Sequence, residues 1–165
     1  MIFLALLMAA APVNGGGLPA CRPAQLRLST DDRGGDFNGM SHSGIELSLR
    51  NRGRDCTLPA LPLVQMRDAR GRVLAARRQR PAGMHPGPAM MPVRLGAGHR
   101  ATIDLRWVSS PVFDGSRSVN AATVTVRIGS GLLRAPLGAR LYGPAHGGVS
   151  FEQSPARAAE GMPAG

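Results

Sequence analysis

Apolar and polar positions alternate with a period of two along much of this chain, and a helical period is almost absent. From Ile45 to Arg50, Ile45, Leu47 and Leu49 alternate with Glu46, Ser48 and Arg50, which predicts a strand with one buried and one solvated face. The polar turn Asn51-Arg52-Gly53-Arg54-Asp55 stops this run and delivers Cys56 to the next extended segment. Ala101, Ile103, Leu105 and Trp107 alternate with Thr102, Asp104 and Arg106 as a second strand, with Trp107 its heaviest core anchor. Ala122, Val124, Val126 and Ile128 alternate with Thr123, Thr125 and Arg127 as a third.

Shorter extended segments fill in between. Ala24 to Ser29 places Leu26 and Leu28 on one face and predicts the first strand. Asp68-Ala69-Arg70-Gly71 has Asp first and Gly fourth, as a type I turn prefers, so Leu63 to Arg67 and Arg72 to Ala76 are expected to form a hairpin. Pro59 and Pro62 cannot donate to a ladder and mark an edge or a crossing between sheets. A short edge strand is expected around Met90 to Leu95, and another over Leu132 to Tyr142, interrupted by Pro136. Asp31 to His42, Arg77 to Pro92 and Ser109 to Val119 read as loops. The sum is an all-β chain, an immunoglobulin-like antiparallel β-sandwich of about seven strands, with a closed barrel as the alternative.

Composition sets the limits of this architecture. A chain of 165 residues with 43% apolar residues supports one core, and its 22 glycines and 14 prolines favour short strands over helices. The apolar run Met1 to Ala11 has the length of a signal-peptide core and is too short to span a bilayer as a helix, although no Arg or Lys precedes it. Residues 1–20 are therefore expected to be a signal peptide with a short linker, 21–142 the β-sandwich, and 143–165, rich in Gly, Ala and Pro, a flexible tail. Export to the periplasm or the extracellular space is expected, with no transmembrane span after signal removal.

The two cysteines are Cys21 and Cys56. An even count in an exported chain implies one disulfide closing a loop of 35 residues. The alternative for Cys21 is a lipid anchor, since Leu18-Pro19-Ala20-Cys21 resembles a lipoprotein cleavage site.

Charge is lopsided, with 20 basic side chains, all arginine, against 10 acidic ones, for a net charge of +10. Arg67, Arg70 and Arg72 together with Arg77, Arg78 and Arg80 cluster in sequence, and Arg77, Arg78 and Arg80 are the candidate anionic-ligand patch. Nucleic acid is a poor partner for an exported chain with 4% aromatic residues. Met40 with His42, Met84 with His85, and Met90 with Met91 are candidate thioether and imidazole ligands for Cu(I). His42, His85, His99 and His146 stand in no catalytic spacing with Ser, Cys or a carboxylate, and Ser109-Ser110 lies in a turn before Pro111.

A family resemblance rests on short motifs in a fixed order. Cys21 is followed by Ile45-Glu46-Leu47-Ser48-Leu49-Arg50-Asn51, by Cys56-Thr57-Leu58 with Pro62 and Val64, and by Asp68-Ala69-Arg70-Gly71. Leu95-Gly96-Ala97-Gly98, Ala101 and Leu105-Arg106-Trp107 complete the series. Over about residues 21 to 142 this order resembles the exported bacterial family called domain of unknown function 4232. The resemblance implies a secreted or membrane-anchored β-sandwich with a cysteine pair and no established biochemical activity. Ala60-Leu61-Pro62 stand where that family often has Gly-Tyr-Pro, and no further cysteine follows Trp107.

These readings converge on an exported, non-catalytic binding or interaction module of the cell envelope that needs no cofactor. An anionic envelope component or another envelope protein is the partner class its charge fits. A periplasmic copper carrier using the loop Met and His residues is the alternative.

Overall fold

The computed structural model describes residues 17–79 and 90–159. Eleven strands form among them: β1 (Leu26–Asp31), β2 (His42–Asn51), β3 (Cys56–Leu58), β4 (Leu63–Arg67), β5 (Ala76–Gln79), β6 (Val93–Leu95), β7 (Arg100–Val108), β8 (Arg117–Ile128), β9 (Gly131–Gly143), β10 (Val149–Gln153) and β11 (Arg157–Ala158). The only helical pieces described are the two 3-10 turns Pro23–Gln25 and Arg33–Gly35. No described helix is long and apolar enough to cross a membrane.

The larger sheet runs in the order β1-β2-β7-β10-β5, with β11 also on β7. The smaller sheet is β4-β8-β9, and β3 pairs with β6. Every pairing is antiparallel except that of β5 with β10. The protein is thus all-β, as its alternation demands, with antiparallel sheets packed around one core. Leu47, Leu49, Ile103 and Leu105 from the larger sheet meet Val124, Val126 and Leu141 from the smaller in one cluster of buried side chains. Full burial of such a side chain contributes about 1.5–3 kcal/mol, so the alternating strands carry most of the stability. Trp107 is buried as its place in the alternation predicts.

Pro59 and Pro62 lie where the chain leaves β3 for β4, which is the crossing between sheets that their missing N–H groups suit. Pro136 sits in β9 at the edge of the smaller sheet.

Five expectations need correction. First, eleven described strands replace about seven, because β5 falls largely in a segment read as a loop and β10 and β11 in the segment read as a tail. Second, the Asp68 turn forms, with Gly71 at φ +78°, but its returning arm does not complete the hairpin. That arm pairs with β4 only through the Leu74 N–H to the Met66 carbonyl (2.9 Å) and the Arg67–Val73 bridge, and then crosses to the larger sheet as β5. Third, the register of β8 on β9 shifts between Ala121 and Thr123, so Ala121, not Ala122, is buried.

Fourth, residues 143–159 are no tail. Val149, Phe151 and Gln153 of β10 are buried, and β11 caps β7. The buried Gln153 side chain donates to the Pro62 carbonyl (2.9 Å), so the C-terminal strand holds the crossing segment. Composition rich in Gly, Ala and Pro masked a period of two that Ser150 and Glu152 complete. Fifth, Arg77 and Arg78 do not form one patch, because they alternate between the two faces of β5.

Candidate binding face

The larger sheet has one face on the core and one toward solvent, and strand register decides which side chains meet on the outer face. On β1, β2 and β7 two cross-strand rows stand out. Asp31 pairs with Glu46, and Glu46 with Asp104, giving a row of three carboxylates. Arg27 pairs with Arg50, and Arg50 with Arg100, giving a row of three guanidinium groups.

Two carboxylates of the acidic row, Glu46 and Asp104, are paired with cations from within the chain. Arg157 on β11 reaches Asp104 at 2.8 Å and Glu46 at 3.8 Å, and Arg33 reaches Glu46 at 3.7 Å. The hydrogen bond to Asp104 raises the Arg157 pKa above its already high value, against the opposing pull of burial and with help from the fields of Asp104 and Glu46. Arg33, Glu46 and Arg157 line a shallow groove of about 600 Å³ together with Asp31, Arg100 and Thr102. The second Asp104 carboxylate oxygen is buried without a described partner.

The basic row is different. Arg27, Arg50 and Arg100 are all exposed, and none takes part in an ion pair among the described residues. Like charges directly opposite one another on a sheet repel, so this row costs stability rather than supplying it.

The row belongs to a wider basic pole at the end of the molecule where Cys21 and Cys56 are bridged, with Cα atoms 4.9 Å apart and 35 residues closed between them. The bridge occupies the sulfur that a lipid on Cys21 would need. Exposed Arg22, Arg52 and Arg54 surround the row, and Asp55, the nearby carboxylate, is engaged by the Ala97 N–H at 2.9 Å.

Buried Asn51 organises this pole. Its side chain donates to the carbonyls of Leu95 (3.0 Å) and Arg54 (2.9 Å) and accepts from the Gly53 N–H (2.9 Å) and the Gln25 side chain (3.0 Å). Its backbone pairs with Gly98 and His99. One amide therefore fixes both loops that carry the flanking charges. In the sequence it reads as an ordinary turn residue, and only its burial reveals the role.

The candidate residues chosen from sequence fare unevenly. Arg77 points outward and donates to the Gly147 carbonyl (3.2 Å), whereas half-buried Arg78 turns inward to the Pro62 carbonyl (3.1 Å) and Gln153 (3.4 Å). Successive strand residues face opposite ways, so contiguity in sequence separated these two charges in space. Arg80, Met84 and His85 lie outside the described residues.

Met40 and His42 share the tight turn Gly39–His42, in which Met40 and Ser41 have φ of +46° and +68°. Two consecutive positive φ values suit the primed hairpin turns, normally built with Asn-Gly, so this turn is strained. The Met40 side chain is 96% exposed, and the His42 ring contacts the Met40 carbonyl through Nδ1 at 2.9 Å. Met90 and Met91 are exposed ahead of β6. Among the described residues no group of three or more His, Cys, Asp or Glu side chains is placed to hold a metal ion.

A family model described as Domain of unknown function (DUF4232) matches residues 21–161, most of the chain and all of its sheets. The chain belongs to the DUF4232 family. No curated protein and no solved structure matches it significantly. The DUF4232 match runs through β10 and β11, in agreement with the structural role of Gln153 and Arg157.

Proposed function

We propose that this chain is an exported, non-catalytic binding module of the cell envelope whose basic pole engages an anionic component. The observation that carries this reading is the in-register row Arg27, Arg50 and Arg100, exposed and without a described ion-pair partner. Three adjacent guanidinium groups on one sheet face present planar donors suited to phosphate or carboxylate oxygens. Export fits the apolar run Met1 to Ala11 and the Cys21–Cys56 bridge, which persists in an oxidising compartment. A non-catalytic role fits the scatter of the described histidines, with His42 opening β2, His99 in the turn before β7 and His146 in the β9–β10 loop.

Titration with inorganic polyphosphate tests the reading. Affinity is expected to fall as salt rises, and the variant Arg27→Gln/Arg50→Gln/Arg100→Gln is expected to bind more weakly with a shallower salt slope. Unchanged affinity in that triple variant refutes the basic pole as the binding surface.

A further inference from the structure

We infer that the basic pole docks this chain against an anionic lipid surface, with the disulfide-bridged end toward the bilayer. The inference rests on the proposed anionic-ligand reading and names its ligand. Two further observations separate a membrane from a soluble polyanion. The first is apolar exposure beside the charge: on the smaller sheet Leu63 pairs with Arg127, and Arg127 with Leu132, and the two leucines are 39% and 44% exposed. This row lies next to the turn before β9, where Gly131 packs against Pro23, the neighbour of Arg22. Exposed leucines beside arginines suit the boundary between headgroups and acyl chains, where the charge meets phosphate and the side chain leaves water. A water-soluble polyanion has no use for the leucines.

The second is the direction of the charge. Cys21 donates its N–H to the Thr57 carbonyl at 2.9 Å, which holds the neighbouring Arg22 at this pole. The acidic row lies farther along the same strands, with Glu46 and Asp104 already paired with Arg33 and Arg157. Attraction is therefore directional, and it sets which end faces the membrane.

Sedimentation of the full chain with vesicles tests the inference, comparing phosphatidylglycerol-containing vesicles with purely phosphatidylcholine ones so that any contribution of the apolar run appears in both. The preference for anionic vesicles is expected to fall about a hundredfold at low salt in the triple variant of Arg27, Arg50 and Arg100 to Gln. The charge-matched variant Arg106→Gln/Arg117→Gln/Arg140→Gln, which alters the opposite end, is expected to retain that preference within about twofold. Leu63→Ser with Leu132→Ser is expected to weaken vesicle binding and leave polyphosphate binding intact, and circular dichroism confirms that each variant is folded.

Equal losses in the two arginine triples would overturn the inference by reducing the attraction to net charge. No preference for anionic vesicles, with polyphosphate binding intact, would overturn the lipid assignment and leave the proposed function standing. Loss of both in the unaltered chain would remove the two together.

Discussion

The two rows on the outer face of the larger sheet use the same three strands and the same register, yet they end in opposite states. Glu46 and Asp104 are joined by Arg33 and Arg157 into an ion-paired cluster, and Asp31 accepts the Arg33 backbone N–H, while Arg27, Arg50 and Arg100 face solvent with no described counter-charge. They lie four residues apart along each of these strands, roughly 13 Å. The acidic row is consumed by the fold, because the cation that neutralises it comes from β11 and helps to fix the end of the chain. The basic row is left over by the fold. Charge that folding does not use, and that folding even opposes, is available to a partner.

The largest effect expected at the basic end concerns what holds it together. Cys21→Ser with Cys56→Ser opens the loop of 35 residues and is expected to lower stability by about 3–4 kcal/mol in urea denaturation. The arm bearing Arg22 is tied down by the bridge, so binding to polyphosphate is expected to weaken as well, with the acidic end unaffected. A double variant as stable as the parent would show that the Asn51 network alone holds the pole.

How much of this could be read in the sequence depends on the range over which each feature is encoded. β7 was legible because one side of the strand repeats Ala101, Ile103, Leu105 and Trp107 without interruption, and the disulfide because two cysteines in an exported chain have few other uses. β10 was not, because one of its three inward positions is Gln153, a polar residue satisfied only by partners distant in sequence, the Pro62 carbonyl and Arg78. The basic row was the least legible. Its members sit on three strands far apart in the chain and meet only through register, whereas the contiguous Arg77 and Arg78 were divided between faces by the pleat. Strand identity is a local property of the sequence, and the composition of a sheet face is not.

A sharper separation of the two rows comes from single substitutions with opposite signs. Arg157→Ala removes a charged hydrogen bond to Asp104 and leaves two carboxylates facing each other, so a loss of about 1 kcal/mol is expected after allowing for its half-exposed side chain. Arg50→Gln relieves repulsion from Arg27 and Arg100 and is expected to gain a few tenths of a kcal/mol at low salt, fading as salt screens the row. Urea midpoints at two salt concentrations measure both. A loss of stability in Arg50→Gln would mean that the basic row is also used by the fold, and the distinction between the rows would collapse.

The smallest expected effect lies outside both rows and shows what a paired arginine looks like elsewhere on this surface. Asp68 accepts from the Arg70 and Arg72 N–H groups, each at 2.9 Å, and pairs with the Arg72 guanidinium at 2.9 Å. The Arg72 N–H, with further help from its side chain and the Arg70 N–H, holds the Asp68 carboxyl below its ordinary 3.8, against the opposing pull of desolvation. A carboxyl lowered on folding adds stability above its unfolded pKa, and that stability is lost as pH falls through the folded one. Asp68→Asn is therefore expected to lower stability slightly at neutral pH, and the gap between variant and parent should close as pH drops below about 3.8. Denaturation midpoints of the two proteins across an acid series measure this. A gap that persists unchanged at the lowest pH would show that the turn is held by the geometry of Gly71 and its backbone bonds, with no contribution from the charge on Asp68.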